Sequence, residues 1–411
     1  MSTDVMRTTS MLTRSELARK VVHIGVGLLA FSLRFLGPFW GAVLAACAVT
    51  FNVAILPRVG GRGLYREAEL AVGRSLGIVL YPVSVLLLIL VFWRRLEVAA
   101  AMWGILAFGD GMAAVVGMSL GRRKLPWNPK KSWVGTFAYF LFGGAAAAVL
   151  LLWTAPEHGY AVGFAFAVAA ASALFAALLE SLPQGLDDNI GVPMVTGLLM
   201  LGLLLSEGGW GIVTAPEFLT GAAIGAGVNL ALALGALAIR GVNRSGAVAG
   251  WLVGTLIWAF LGWRGFLLLL AFFVVGTALT KLGYRQKAAA KLAQEEGGRR
   301  GARHALANAG VATVCAMLAV TTSWPLFFAV AFAAAFATAA ADTAGSEIGQ
   351  LWGRRTFLIT TFRRVPRGTE GAVSLEGTLA GIVAGGLLGV VGAAAGLYPW
   401  AGAVVVTAAA F

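Results

Sequence analysis

The sequence predicts an all-α, polytopic transmembrane protein of about 14 spans. Three observations carry this. Hydrophobic residues make up 59% of the 411-residue chain and charged residues only 12%. Apolar runs of about 16 to 25 residues recur along it, long enough to cross a hydrocarbon core of roughly 30 Å. Most of the basic residues lie in the gaps between alternate runs. Backbone groups inside lipid must pair within their own segment, so each run is expected to be helical.

The first seven runs lie near 21–36, 38–56, 76–93, 96–120, 133–153, 160–182 and 190–206. The second seven lie near 217–239, 246–261, 264–282, 305–321, 325–348, 373–395 and 397–411. Fifty-five glycines suit close helix packing in lipid, where small residues let backbones approach. Residues 1–20 mix Arg with Asp4 and Glu16 and lack a signal-type apolar core, so they read as a cytosolic tail. Cys47 and Cys315 both fall inside apolar runs, which implies neither a disulfide framework nor a zinc cluster.

With the N-terminus placed in the cytosol, 27 of the 31 Lys and Arg fall on inward segments. Only Arg34, Arg94, Arg95 and Arg264 fall outward. The positive-inside rule expects that asymmetry, so an even span number with both termini cytosolic is expected. The net charge of +13 sits between spans. Its expected partners are therefore lipid head groups and phosphorylated substrates, with no nucleic acid.

A parallel internal repeat runs through the chain. Asp110, Gly117 and Gly121-Arg122-Arg123 recur as Asp342, Gly349 and Gly353-Arg354-Arg355 at the same spacing. Downstream, Ser132 with Gly135-Thr136 recurs as Ser374 with Gly377-Thr378, after a loop about ten residues longer. The copies are eight spans apart, an even number, so both are expected to face one compartment.

The chemistry of the motif is phosphate handling. An Asp inside an apolar span is costly and usually faces a cavity, a cation or a polar group. Glycines after it allow close backbone approach to a ligand. Arg122, Arg123, Lys124, Lys130 and Lys131 offer forked and point charges suited to phosphate, and Ser132 opens a helix whose free N–H groups favour anions. Acid for a metal beside cations for phosphate is the equipment of phosphoryl transfer. Each basic turn alone reads more readily as a topology anchor; the recurrence at identical spacing is what favours a site. No Gly-x-x-x-x-Gly-Lys-Ser/Thr stretch occurs, which excludes a P-loop nucleotidase.

Other polar groups gather at the same expected face. Arg19-Lys20 and His23 open the first run, and Glu180, Asp187-Asp188-Asn189 and Pro193 follow the sixth. Glu347, Arg363, Arg364, Glu370 and Glu376 accompany the second copy.

Together these pieces resemble two known families. Residues from about 15 to 206 resemble the polyprenol kinase family, which includes dolichol kinase, phytol kinase and CTP-dependent diacylglycerol kinases. The matching pieces are Arg19-Lys20-x-x-His23, Gly109-Asp110, Gly117, Gly121-Arg122-Arg123, Lys131-Ser132, Gly135-Thr136, Glu180, Asp187-Asp188-Asn189 and Pro193. That family commonly has an acid where this chain has Val134. Residues from about 215 to 411 resemble the family of plant phytyl-phosphate kinase. Its matching pieces are Ser245-Gly246-Ala247, Gly250, Gly254, Ala341-Asp342-Thr343-Ala344, Ser346-Glu347, and Gly368 through Ser374 with Glu376-Gly377-Thr378.

The resemblance implies a tail at 1–20, an isoprenoid alcohol kinase-like domain at 21–210 and an isoprenyl-phosphate kinase-like domain at 211–411. It implies CTP or another nucleoside triphosphate as donor, Mg²⁺ as cofactor, and an isoprenoid alcohol and its monophosphate as substrates, at a bacterial plasma membrane with sites facing the cytoplasm. Asp110, Asp342, Asp187, Asp188, His23, Glu370 and Glu376 are the expected catalytic groups, and Asp110, Asp187, Asp188, Asp342 and Glu347 the expected metal ligands. Arg19, Lys20, the basic loop with Ser132, and Arg354, Arg355, Arg363, Arg364 and Ser374 are the expected phosphate ligands. A transporter with a duplicated core, and a CTP-dependent diacylglycerol kinase or cytidylyltransferase, remain as alternatives.

Overall fold

The computed structural model describes residues 14–59, 76–155, 159–183, 187–239, 241–283, 286, 301–369 and 371–411, with backbone only at 14–18 and 76. The chain divides into two compact units, Met1–Leu204 and Leu205–Phe411.

Unit 1 opens with α1 (Arg14–Gly27) and a 3₁₀ turn leading to α2 (Leu33–Thr50), followed by α3 (Leu76–Val91). The next span is α4 (Leu96–Gly104), a π-helical turn (Ile105–Gly109) and α5 (Asp110–Leu120). A hairpin of β1 (Lys124–Leu125) and β2 (Asn128–Ser132) leads to α6 (Trp133–Thr154), α7 (Val162–Ser181) and α8 (Asp188–Leu205). Unit 2 holds α9 (Pro216–Ala238), α10 (Arg244–Lys281), α11 (Ala302–Thr321) and α12 (Pro325–Trp352). A second hairpin, β3 (Thr356–Leu358) with β4 (Ala372–Ser374), leads to α13 (Leu375–Ala394) and α14 (Trp400–Ala409).

Among the described residues, ten helical stretches are long and apolar enough to cross a membrane, fewer than the expected fourteen spans. The physical reason is partly two reversals. The stretches Arg19–Ile55 and Arg244–Lys281 break at Gly37 (φ 65°) and Gly262 (φ 63°), a backbone region that only glycine enters freely. Across the second break the Trp258 and Phe266 rings stand 5.1 Å apart. Residues eight apart on a straight helix would lie about 12 Å apart, so the chain doubles back. A Cβ on Gly41 would lie 2.7 Å from Leu33, the same relationship across Gly37. Two further apolar helices, Gly77–Val91 and Trp400–Ala409, are shorter. Each of the fourteen apolar runs thus falls on a helical segment.

Small residues set the packing. In unit 1 the buried face of α7 is Ala165, Ala169, Ala173 and Ala176, and a Cβ on Gly143 of α6 would come within 3.3 Å of the Gly109 backbone. That approach draws α6 against the π turn and fixes where Asp110 emerges. In unit 2 the aromatics Phe332, Phe336 and Phe272 fill the centre, with the last two rings 5.2 Å apart.

Three of the four cations expected outward are occupied by local partners. Arg34 lies over the Trp153 ring at 4.6 Å, Arg95 pairs with the buried Glu97 at 2.6 Å, and Arg264 approaches the Gly396 carbonyl at 3.5 Å.

Candidate active site

The site in unit 1 grows from the π turn before Asp110. Insertion of one residue into the helix is costly and recurs at functional positions. Here the Asp110 N–H bonds to the Ala107 carbonyl, leaving Leu106 without its usual partner four residues on. His23 of α1 takes up that group: its Nε2 lies 3.0 Å from the Leu106 carbonyl, which can only accept, so the ring donates. Lys20, one turn earlier on α1, reaches Asp110 Oδ2 at 2.6 Å, and His23 Nε2 stands 3.6 Å from the same oxygen. Gly111 makes this docking possible, since a Cβ there would meet Ile24 of α1. Behind His23, Tyr81 stacks at 4.3 Å between centroids, donates to the His23 carbonyl and accepts from Trp103 Nε1 at 2.9 Å.

The hairpin supplies the second pair. Lys131 on β2 bonds to Glu180 at the end of α7 and lies 3.7 Å from Asp188 Oδ2 at the start of α8. Asn128 Nδ2 donates to the Ser181 carbonyl and Trp127 Nε1 to Ser181 Oγ, clamping the hairpin onto α7. The charges of Glu180, Asp110 and Asp188 all act on the buried Tyr139 hydroxyl, and Lys131 acts on Asp110, so the two pairs form one cluster. Arg122, Arg123, Lys124 and Lys130 are exposed, and no side chain among the described residues pairs with them. They stand beside the cluster as uncommitted positive charge.

The repeated motif builds the same local structure in each unit. Lys124 pairs with Ser132 across one hairpin and Thr356 with Ser374 across the other. Each serine is buried and N-caps the next helix, its Oγ accepting from Gly135 N–H at 3.2 Å or Gly377 N–H at 3.1 Å. A Cβ on Gly117 or Gly349 would lie 3.3 or 3.2 Å from that serine oxygen. The glycines admit the capping serine and the next helix, and the oxygens of Ser132 and Ser374, expected as phosphate ligands, accept the cap hydrogen bond.

Unit 2 is arranged more openly around its acid. Asp342 is exposed on α12, and no described residue pairs with it. Glu347 is buried one turn further on. Glu376 accepts from the Arg354 N–H at 3.3 Å, Arg367 donates to the Leu351 carbonyl, and Arg364 lies over Phe357. Arg355 and Arg363 are exposed. Glu370 lies outside the described residues.

The acids expected to hold metal do not form one set. Asp187 turns back on the Asn189 N–H at 2.9 Å, Asp188 faces Lys131, and Asp110 faces Lys20. Among the described residues no three of His, Cys, Asp and Glu gather as a metal cluster. Magnesium commonly takes only one or two carboxylates and fills its sphere with phosphate oxygens and water. Asp110 and Asp188 fit that donor chemistry; a protein-only cage does not. Sequence reasoning left Glu180 out of the expected site and passed over Tyr139, Tyr81 and Trp103. Glu180 carried a signal, an acid at the end of an apolar run, whereas the aromatics are indistinguishable from core.

Helical units of this length and hydropathy define a polytopic integral membrane protein. Residues 227–411 match the family described as Integral membrane protein DUF92. The uncharacterized membrane protein sll0875 of Synechocystis sp. is 45% identical over 163 residues, 39% of this chain and 63% of its own length. Protein VTE6, chloroplastic, of Arabidopsis thaliana is 44% identical over 160 residues, 38% of this chain and 48% of its own length. The chain therefore spans less than two thirds of either relative. Probable phytol kinase 2, chloroplastic, of Glycine max is 32% identical over 208 residues, 48% of this chain and 68% of its own length. The chain belongs to the membrane-protein family of these phytol kinases. No solved structure matches it.

Proposed function

We propose that the chain is a bifunctional membrane kinase. Unit 1 transfers a phosphoryl group from a nucleoside triphosphate, CTP by resemblance, to an isoprenoid alcohol, and unit 2 phosphorylates the monophosphate to the diphosphate. The observation that carries the reading is the Lys20–Asp110 pair beside Lys131, Glu180 and Asp188, under a loop of four uncommitted cations. The names of the phytol kinase relatives support the alcohol as acceptor.

The chemistry follows from the charges. In unit 1 the alcohol oxygen attacks the terminal phosphorus as the bond to the departing nucleoside diphosphate breaks, and the hydroxyl proton must be taken up. Asp110 is the carboxylate placed to orient that hydroxyl and receive the proton, with His23 beside it. Lys20, Lys131, Arg122, Arg123, Lys124 and Lys130 offset charge on the transferred group. Mg²⁺ held by Asp110 and Asp188 would supply further neutralisation of the nucleotide phosphates. Unit 2 receives an acceptor that is already ionised near neutral pH, since a phosphate monoester has its second pKa at about 6. It needs cations more than a base. That suits a unit whose repeat carries Arg354, Arg355, Arg363 and Arg364, all exposed, and an exposed Asp342. Both sites are proposed to face the cytoplasm and draw on one nucleotide pool.

The test supplies purified protein with labelled CTP, Mg²⁺ and phytol or geranylgeraniol. Asp110→Asn is expected to stop monophosphate formation. Asp342→Asn is expected to let monophosphate accumulate without diphosphate. Two variants that each leave both steps intact would sink the assignment.

A further inference from the structure

We infer that the cavity between α9, α10 and α11 of unit 2 is the seat of a single isoprenoid chain whose phosphate lies at the His304 end. This rests on the reading of unit 2 as a prenyl-phosphate site and adds where the hydrocarbon goes. The cavity has a volume of about 500 Å³, within the range of small-molecule sites, and suits one lipid chain better than two. Its wall combines small residues, Gly235, Gly246 and Gly250, with large apolar ones, Phe266, Leu270 and Phe273. An unsaturated, methyl-branched chain needs that alternation of recess and flat contact. Small residues make room for branches, and aromatic faces pack against double bonds.

The polar groups are not scattered. His304 and Asn308 lie on the first turns of α11, and Arg303 adjoins them. Arg244 begins α10 at the same level, because Ser245 Oγ accepts the Ala302 N–H at 3.3 Å and ties the two helix starts together. The cavity wall therefore runs from a polar mouth at His304 and Asn308, with Arg303 and Arg244 at the neighbouring helix starts, to an apolar interior around Val253 and Phe266. A phosphate with one hydrocarbon tail matches both ends. The α10 terminus comes close to that of α12, where a Cβ on Gly283 would meet Leu351, so the rim and the Arg354 hairpin lie at one end of this unit. An anion at the rim is thereby on the side of the motif cations.

Gly250 and Gly235 have nothing within 4 Å of where a Cβ would stand, so larger side chains there enter the cavity instead of striking backbone. The experiment uses the full chain in nanodiscs and a geranylgeranyl phosphate analogue carrying a diazirine on its chain. Light is expected to label peptides of α9, α10 and α11. Excess geranylgeranyl phosphate is expected to abolish labelling, whereas phosphatidic acid leaves it. Gly250→Phe and, as an independent blockade, Gly235→Leu are expected to cut labelling at least fivefold. Arg303→Gln with His304→Gln is expected to remove the preference for the phosphate over the free alcohol. Labelling elsewhere, or equal competition by phosphatidic acid, overturns the assignment. Labelling of the cavity by a chain that transfers no phosphate overturns the kinase reading and leaves the cavity's occupant standing.

Discussion

Lys20 and Asp110 meet at 2.6 Å across ninety residues of chain, joining the first helix to the start of α5, just after the π-helical turn. Neither charge is at ease in an apolar helix bundle, and pairing satisfies both. Such a pair is weak evidence for stability, because desolvation offsets much of the attraction. Its placement beside a second acid–lysine cluster is the ground for proposing it as part of a site.

Breaking that pair is expected to expose its two roles separately. Lys20→Met leaves Asp110 without its closest cation and is expected to lower stability by about 1–3 kcal/mol, less than for a fully buried pair because Asp110 is partly exposed. Lys20→Met with Asp110→Asn is expected to recover about half of that loss while remaining inactive. Melting temperatures in detergent, assembled as a double-mutant cycle, measure the coupling. Additive losses would show that the two groups do not depend on each other.

The helical segments were legible because an apolar run of fixed length leaves the backbone no alternative in lipid. The reversals at Gly37 and Gly262 were legible too, as gaps between runs, although glycine by itself did not announce a left-handed turn. The hairpins were not. Strands of two to five residues, such as Lys124–Leu125 and Asn128–Ser132, are too short to carry a period, and the charges in them read as loop. For the same reason the cap was hidden: Ser132 has basic neighbours, and only the backbone shows its oxygen turned to Gly135. Asp110, Lys20, His23 and Lys131 were each visible as charges out of place. That they converge depends on Gly111 and Gly143, whose meaning lies in what they touch.

Lys131 is shared by Glu180 and Asp188, so its loss is expected to act on unit 1 alone. Lys131→Ala is expected to lower the rate of alcohol phosphorylation at least a hundredfold, with phosphorylation of supplied monophosphate unchanged within twofold. Lys131→Arg, which keeps the charge but presents a planar fork, is expected to restore part of the rate. Mass analysis of the lipid products with each substrate separates the steps. An equal fall in both would mean that the hairpin supports the whole protein and not one reaction.

The glycines of the repeat are expected to be structural. A Cβ on Gly353 would lie 3.0 Å from Ser374 Oγ and 3.1 Å from its Cβ, so Gly353→Ala is expected to destabilise by about 1–3 kcal/mol. Ser374→Ala, which removes the cap alone, is expected to cost about 1 kcal/mol and to leave nucleotide affinity unchanged. Gly163→Ala is the control: nothing lies within 4 Å of its Cβ position, and the change is expected to be neutral or to stabilise by up to about 1 kcal/mol. Thermal melts rank the three. A Ser374→Ala protein of normal stability whose KM for nucleotide rises tenfold would return that hydroxyl to the phosphate site.

Both hairpins must open to one compartment if the two reactions draw on one nucleotide pool. Single cysteines replacing Lys124 and Thr361, both exposed, are expected to react with an impermeant maleimide only when the cytoplasmic face is accessible. The background needs Cys47 and Cys315 changed to alanine, since both are free thiols. A cysteine replacing Trp93, in the turn next to Arg94 and Arg95, is expected to react only from the opposite face. The charge asymmetry is the ground for expecting this pattern, because the positive-inside rule keeps segments as basic as these two hairpins on the cytoplasmic side. Labelling of Lys124 and Thr361 positions from opposite faces would separate the two sites by the membrane, and a shared phosphoryl donor would no longer be possible.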